Sequence, residues 1–138
     1  MPYPEEICTP MRHELTDIGF RELKTAAEVD KTIPNAEGTL LLVMNSVCGC
    51  AAGSARPGVK LALENAKKPG NLVTVFAGQD LEATKQARTY TLPYPPSSPA
   101  IGLFKDGKLV HFIERHHIEG RTAEMIAENL TTAFDENC

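Results

Sequence analysis

The sequence of 138 residues has no long apolar run. Leu40-Leu41-Leu42-Val43-Met44 is the longest, against the ~20 residues that a membrane-spanning helix needs. Basic clusters are also missing: 14 Lys+Arg stand against 18 Asp+Glu, for a net charge of −4, and no Lys/Arg run exceeds Lys67-Lys68. A nucleic-acid partner is not expected, because neutralising phosphates requires a basic face. The start, Met1-Pro2-Tyr3-Pro4-Glu5-Glu6, is acidic and broken by proline, so no secretory signal or membrane association is expected. Internal repeats and low-complexity segments are lacking. Cysteine is sparse at four residues, Cys8, Cys48, Cys50 and Cys138. Two of them lie one residue apart, which argues against a structural disulfide framework.

What remains is the composition of an ordinary folded chain, 42% hydrophobic and 23% charged, of a length that suits one domain over residues 1–138. A short helix is predicted over Glu14–Ile18 and a brief strand over Phe20–Leu23. Thr25 followed by Glu28 reads as an N-cap with its box partner, opening a helix that Pro34 stops after Ile33. Thr39–Asn45 reads as a strand covered on both faces. A helix should follow from about Cys50, with Ala55, Val59, Ala62 and Ala66 on one side and a kink at Pro57. Leu72–Phe76 is predicted as a strand and Leu81–Tyr90 as a helix, with Asp80 an N-cap candidate. Ala100–Phe104 and Lys108–Arg115 read as strands joined by the hairpin signal Asp106-Gly107. A last helix over Thr122–Asp135 places Ile126, Leu130, Ala133 and Phe134 together. The order after the leading helix is β-α-β-α-β-α-β-β-α. That implies an α/β fold, a mixed sheet with helices on both faces and a short extra N-terminal helix, matching the thioredoxin order.

Cys48-Gly49-Cys50 sits where the Thr39–Asn45 strand gives way to a helix. Backbone N–H groups and the positive end of the helix dipole favour a thiolate there, and in α/β sheets that end of a strand is where reactive groups collect. Cys48, at the helix mouth, is the expected nucleophile and Cys50 the resolving thiol. The small ring of a Cys-x-Cys disulfide suits exchange better than strong reduction, and Gly49 tolerates the backbone angles it needs. Pro99, directly before a predicted strand and after Ser97-Ser98, is a candidate for a cis peptide bond.

Two other readings compete. Cys48 and Cys50 could supply two thiolates to zinc or an iron–sulfur cluster, with Cys8 and Cys138, or His116 and His117, completing the set. The chain could also be a non-catalytic interaction domain. Cys8 reads as incidental, Cys138 as a residue of an exposed terminus, and His116 and His117 as an edge-strand pair. Glu114-Arg115 reads as part of a solvated face, and Arg56 as a surface cation that could attract an anionic thiol.

Asn45-Ser46-Val47-Cys48-Gly49-Cys50-Ala51-Ala52-Gly53, with Phe76-Ala77-Gly78-Gln79-Asp80, Pro96-Ser97-Ser98-Pro99 and Glu114-Arg115-His116-His117-Ile118-Glu119-Gly120, resembles the bacilliredoxin family in several motifs in one order. The resemblance implies a cytoplasmic thioredoxin-like protein with a Cys-Gly-Cys site and no bound cofactor. Its implied activity is removal of bacillithiol, a low-molecular-weight thiol co-substrate, from S-thiolated proteins, with disulfide isomerase or reductase activity besides. Carried onto this sequence, Cys48 attacks the mixed disulfide, Cys50 closes on it, and Ser98, Pro99 and Gly49 face the substrate.

Overall fold

The structure, a computed structural model, describes residues 3–138. In chain order it forms α1 (Glu5–Thr16), β1 (Arg21–Glu22), α2 (Ala26–Thr32), β2 (Thr39–Asn45), a π-helical turn (Ala51–Ala55), α3 (Arg56–Ala62) and β3 (Asn71–Phe76). There follow α4 (Leu81–Thr89), β4 (Ala100–Lys105), β5 (Lys108–Ile113), α5 (Arg115–Ile118) and α6 (Ala123–Asn137). The sheet order is β1-β3-β2-β4-β5. β1 and β2 run parallel to β3, while β4 is antiparallel to both β2 and β5.

β2 occupies the centre and is buried at every position, as its unbroken apolar run requires. Its side chains alternate between two cores. Leu41 and Val43 face a cluster built from α3 and α6, including Val59, Ile126, Leu130 and Phe134. Leu40, Leu42 and Met44 face a second cluster with Val29, Ile33, Ala83 and Ala87 from the α2 and α4 side. The period-2 geometry of a strand thus distributes one sequence run into both layers. α3 and α6 approach so closely that a Cβ on Gly58 would lie 2.7 Å from Ile126 Cβ and Cγ2 and 3.0 Å from the Ala123 carbonyl oxygen.

Several local signals act as expected. Thr25 Oγ1 accepts the Glu28 N–H at 3.1 Å, and the Glu28 carboxylate accepts the Lys24 N–H at 3.1 Å. Asp106 and Gly107 take φ of 49° and 82°, the positive values a tight hairpin turn requires.

Other segments differ. The N-terminal helix covers Glu5–Thr16 rather than 14–18 and contains Pro10. An interior proline costs a helix about 3 kcal/mol, but this helix buries Cys8, Arg12 and Leu15 at helical spacing. Arg12 fastens it to β1 and to the start of α4 by ion pairs with Glu22 and Asp80, both at 2.7 Å, and pairs within the helix with Glu5 at 3.0 Å. Asp80 stands at the start of α4 but makes no side-chain cap. Its carboxylate serves Arg12 instead. The kink expected at Pro57 becomes the π-helical turn. Proline has no N–H for the carbonyl four residues back and crowds it, and the widened turn instead pairs the Arg56 N–H with the Ala51 carbonyl, a five-residue step often found at functional sites. The last strand ends at Ile113, and Arg115–Ile118 is a helical turn, so His116 and His117 are not on an edge strand.

Candidate active site

Asn45, the last residue of β2, is 1% exposed and organises the loop beyond it. Its Nδ2 donates to the Met11 carbonyl at 3.1 Å, and its Oδ1 accepts from the Ser46 N–H at 2.9 Å and from Arg56 Nη1 at 2.8 Å. The same Nη1 donates to the Ser46 carbonyl at 2.9 Å. Ser46 Oγ in turn accepts the Cys48 N–H at 3.1 Å, and the Cys48 carbonyl accepts the Ala51 N–H at 3.0 Å. Arg56 is therefore not a surface cation. It is 2% exposed, and its Nε sits 3.1 Å from Glu14 Oε1 in ion-pair contact without hydrogen-bond geometry. An arginine of this kind anchors the strand end to the helix through its fork of donors.

That frame delivers Cys48 and Cys50, both half-buried and free, with their sulfurs 2.7 Å apart. The two thiols are driven in opposite directions. Cys48 is pulled below its ordinary value, first by the Cys50 S–H···S contact, then by the Cys50 backbone N–H, the Arg115 guanidinium and the Ala51 N–H, against the opposing effect of burial. Cys50 is pushed up to about 11 by burial first and then by the hydrogen bond and negative charge of Cys48. One thiolate and one thiol can thus share the site, with the proton on Cys50.

Cys48 opens into a cleft of about 400 Å³ that Ser98, Arg88 and Arg115 also line. The Ser98–Pro99 peptide bond is cis, as is Leu92–Pro93. The Ser98 carbonyl accepts from Arg115 Nη1 at 3.3 Å, and the Arg115 N–H donates to Ser97 Oγ at 3.3 Å. The cleft thus brings Cys48 and Ser98 together. Pro99 is buried and Gly49 exposed, and neither lines the cleft wall. Cys50 lies beside Cys48 but is likewise not part of that wall.

Arg115 is exposed, as the reading of Glu114-Arg115 as a solvated face expects, and it also lines the cleft. Its guanidinium pairs with Glu119, contacts the Ser98 carbonyl and lowers the Cys48 thiol. Arg88, at the end of α4, carried no sequence signal. His116 and His117 are exposed, with ring centroids 4.0 Å apart and planes tilted by 53°. His117 Nδ1 accepts the Glu114 N–H at 3.3 Å.

The ligand set for a metal does not assemble on the thiol pair. Cys8 is fully buried in α1 and Cys138 exposed at the chain end. Among the described residues, the one group of three close ligands is Glu114, His116 and His117, which excludes both site cysteines. The described helices include none long and apolar enough to cross a membrane.

Comparison with known proteins bears on the family and the fold. Residues 3–138 match the disulphide isomerase family. A bacilliredoxin of Cytophaga hutchinsonii is 60% identical over 134 residues, covering 97% of this chain and 98% of its own. A bacilliredoxin of Koribacter versatilis is 56% identical over 136 residues, covering 99% and 94%. Mitochondrial thioredoxin 3 from Saccharomyces cerevisiae superposes with a TM-score of 0.60 at 16% identity, covering 89% of this chain and 98% of its own. At that identity it bears on the fold alone, which is that of thioredoxin.

Proposed function

The chain belongs to the bacilliredoxin family, and from that premise we propose that it works as a thiol–disulfide oxidoreductase in the cytoplasm, removing bacillithiol or a similar low-molecular-weight thiol from mixed disulfides on proteins. The family relationship and the thioredoxin fold support the redox role. The observation that carries the mechanism is the opposed pair: a lowered thiol facing the cleft and a raised one touching its sulfur.

In this reading the Cys48 thiolate attacks the small-thiol sulfur of a protein mixed disulfide. A bond forms from Cys48 Sγ to that sulfur, and the protein thiolate leaves. Arg115 and the N–H groups of Cys50 and Ala51 stabilise the attacking charge. Once Cys48 is bonded it no longer carries negative charge, and the two influences it exerts on Cys50 fall away. The Cys50 pKa then drops toward the value set by burial and the charges of Arg115 and Glu119. Cys50 then loses its proton, attacks Cys48 Sγ and expels the small thiol, leaving a Cys48–Cys50 disulfide for an external thiol to reduce. Where Cys48 instead attacks a protein disulfide, it bonds to one protein sulfur and releases the other as thiolate, and displacement of Cys48 by a different thiol of that protein gives isomerisation. Ser98, which lines the cleft with Cys48, is the backbone against which the substrate would lie, whereas Pro99 and Gly49 stand outside the cleft wall.

The test is intact-mass analysis with a bacillithiolated protein and, separately, a glutathionylated one. The native protein is expected to demodify the substrate, Cys48→Ala to be inactive, and Cys50→Ala to accumulate one small-thiol adduct on Cys48. Full activity in Cys48→Ala overturns the assignment. Equal rates with both substrates would remove bacillithiol specificity while leaving exchange intact.

A further inference from the structure

The protein carries a net charge of −4, yet the nine residues lining the Cys48 cleft include two arginines, Arg88 and Arg115, and no carboxylate. The two cations are not equivalent. Arg115 already pairs with Glu119 and donates to the Ser98 carbonyl. Arg88 is half-buried, and among the described residues no carboxylate comes within ion-pair distance of it. Its Nε is shielded from solvent and finds no hydrogen-bond partner, and burial alone acts on its charge. A partly desolvated guanidinium without an anion is unfavourable unless an anion arrives. Arginine's planar fork suits a carboxylate in particular.

We propose that Arg88, assisted by Arg115, forms a subsite for a carboxylate on the small thiol that becomes bonded to Cys48. This deepens the exchange function proposed above and rests on it. The cleft, about 400 Å³, falls in the size range of small-molecule sites. The Ser98 carbonyl, which an extended peptide would use, is already bonded to Arg115. Both facts favour a small anionic thiol over an acidic peptide segment. The anionic attraction that the sequence suggested for Arg56 thus falls to Arg88, since Arg56 is committed to Asn45, Ser46 and Glu14.

The chemistry is balanced exchange with a symmetrical disulfide RS–SR. The Cys48 thiolate bonds to one sulfur and releases RS⁻. Cys50 then loses its proton, bonds to Cys48 Sγ and releases the second RS⁻. Two protein thiols are oxidised and one disulfide is reduced to two thiols.

Three disulfide probes of similar size test the subsite: 3,3′-dithiodipropionate (anionic), 2-hydroxyethyl disulfide (neutral) and cystamine (cationic). Each is reacted with the full chain while the Cys48 adduct and the Cys48–Cys50 disulfide are followed by mass. The expected order is anionic, neutral, cationic, with an anionic-to-neutral rate ratio of roughly tenfold, the scale of one charge-assisted hydrogen bond. Arg88→Gln should collapse that ratio, Arg88→Lys should retain most of it, and added salt should shrink it. Because each variant is compared with itself on two probes, a general loss of stability does not move the ratio. A ratio near one in the native protein, or an undiminished ratio in Arg88→Gln, overturns the subsite while leaving exchange at Cys48 standing. A charge preference seen only with an acidic-peptide mixed disulfide reassigns the arginines to the protein partner and overturns the small-thiol proposal. Failure of Cys48 to react with any probe removes the exchange function and the subsite together.

Discussion

Replacing Cys50 by alanine removes the largest influence holding the Cys48 thiol low, the S–H···S contact at 2.7 Å. The consequence can be sized from the site. A thiol at the ordinary 9.0 is about 1% ionised at pH 7, and Cys48, lying lower, exceeds that. Cys50 at about 11 is roughly 0.01% ionised at the same pH. The thiolate fractions therefore differ by at least about 100-fold at pH 7. Brief iodoacetamide treatment followed by peptide mapping should label Cys48 and spare Cys50. The sign of the pH dependence follows: a lowered thiol gains thiolate, and hence rate, at lower pH than an ordinary one. In Cys50→Ala the Cys48 labelling profile should shift to higher pH. Cys50→Ser, which keeps an O–H donor, should fall between the native protein and the alanine variant. The lowering by Arg115 and the backbone N–H groups persists in both variants, so the shift is partial. The reasoning is refuted if Cys50 labels as fast as Cys48 at pH 7, or if the alanine variant keeps the native profile or moves it to lower pH.

Two further outcomes test the framework around the thiols. Gly58→Ala drives a methyl to 2.7 Å from Ile126 Cβ and Cγ2. Overpacking of about 1–3 kcal/mol should outweigh the ~0.5–1 kcal/mol that alanine gains over glycine in a helix, and thermal melting should fall by several degrees at ~4 °C per kcal/mol; an unchanged or raised Tm means that α3 and α6 can separate at no cost. Arg56→Met removes the donor to Asn45 Oδ1 and the Ser46 carbonyl, with an expected loss of about 2–3 kcal/mol and a changed Cys48 alkylation rate, whereas a native Tm together with a native rate would show that Arg56 does not position the loop.

Elements set by local rules were legible in the sequence. β2 announced itself through an apolar run, Thr25 through its cap, and Asp106-Gly107 through the φ values that turn needs. The position of Cys48 and Cys50 followed from β2, because the residues just beyond a buried central strand have few places to go. The thioredoxin order followed from the alternation of strands and helices. What stayed hidden depended on partners distant in sequence. The leading helix was expected only over 14–18, and the burial of Cys8, Arg12 and Leu15, with Arg12 reaching Glu22 and Asp80, shows why it extends back through Pro10. His116 and His117 looked like strand residues because the apolar alternation of β5 runs directly into a helical turn with no proline or glycine between them.

The arginines show most clearly where one-dimensional reading stops. Arg56, Arg88 and Arg115 are all isolated cations in the sequence, each compatible with an exposed surface, and the fold gives them three different fates. Arg56 is consumed by Asn45, Ser46 and Glu14, and its charge is spent on holding the strand end. Arg115 divides itself between Glu119, the Ser98 carbonyl and the Cys48 sulfur. Arg88 reaches the same cleft with no carboxylate in ion-pair distance among the described residues. The separation of 68 residues between Arg12 and Asp80 poses the same difficulty in reverse, since an N-cap candidate turned out to be the anchor of an N-terminal helix. A guanidinium's role depends on which acceptors reach it first, and that competition is settled only when the chain has folded. The local rules place Cys48, whose thiol is lowered by backbone amides and by a neighbour two residues away. They do not place the two arginines of the proposed subsite, which reach the same cleft from α4 and α5.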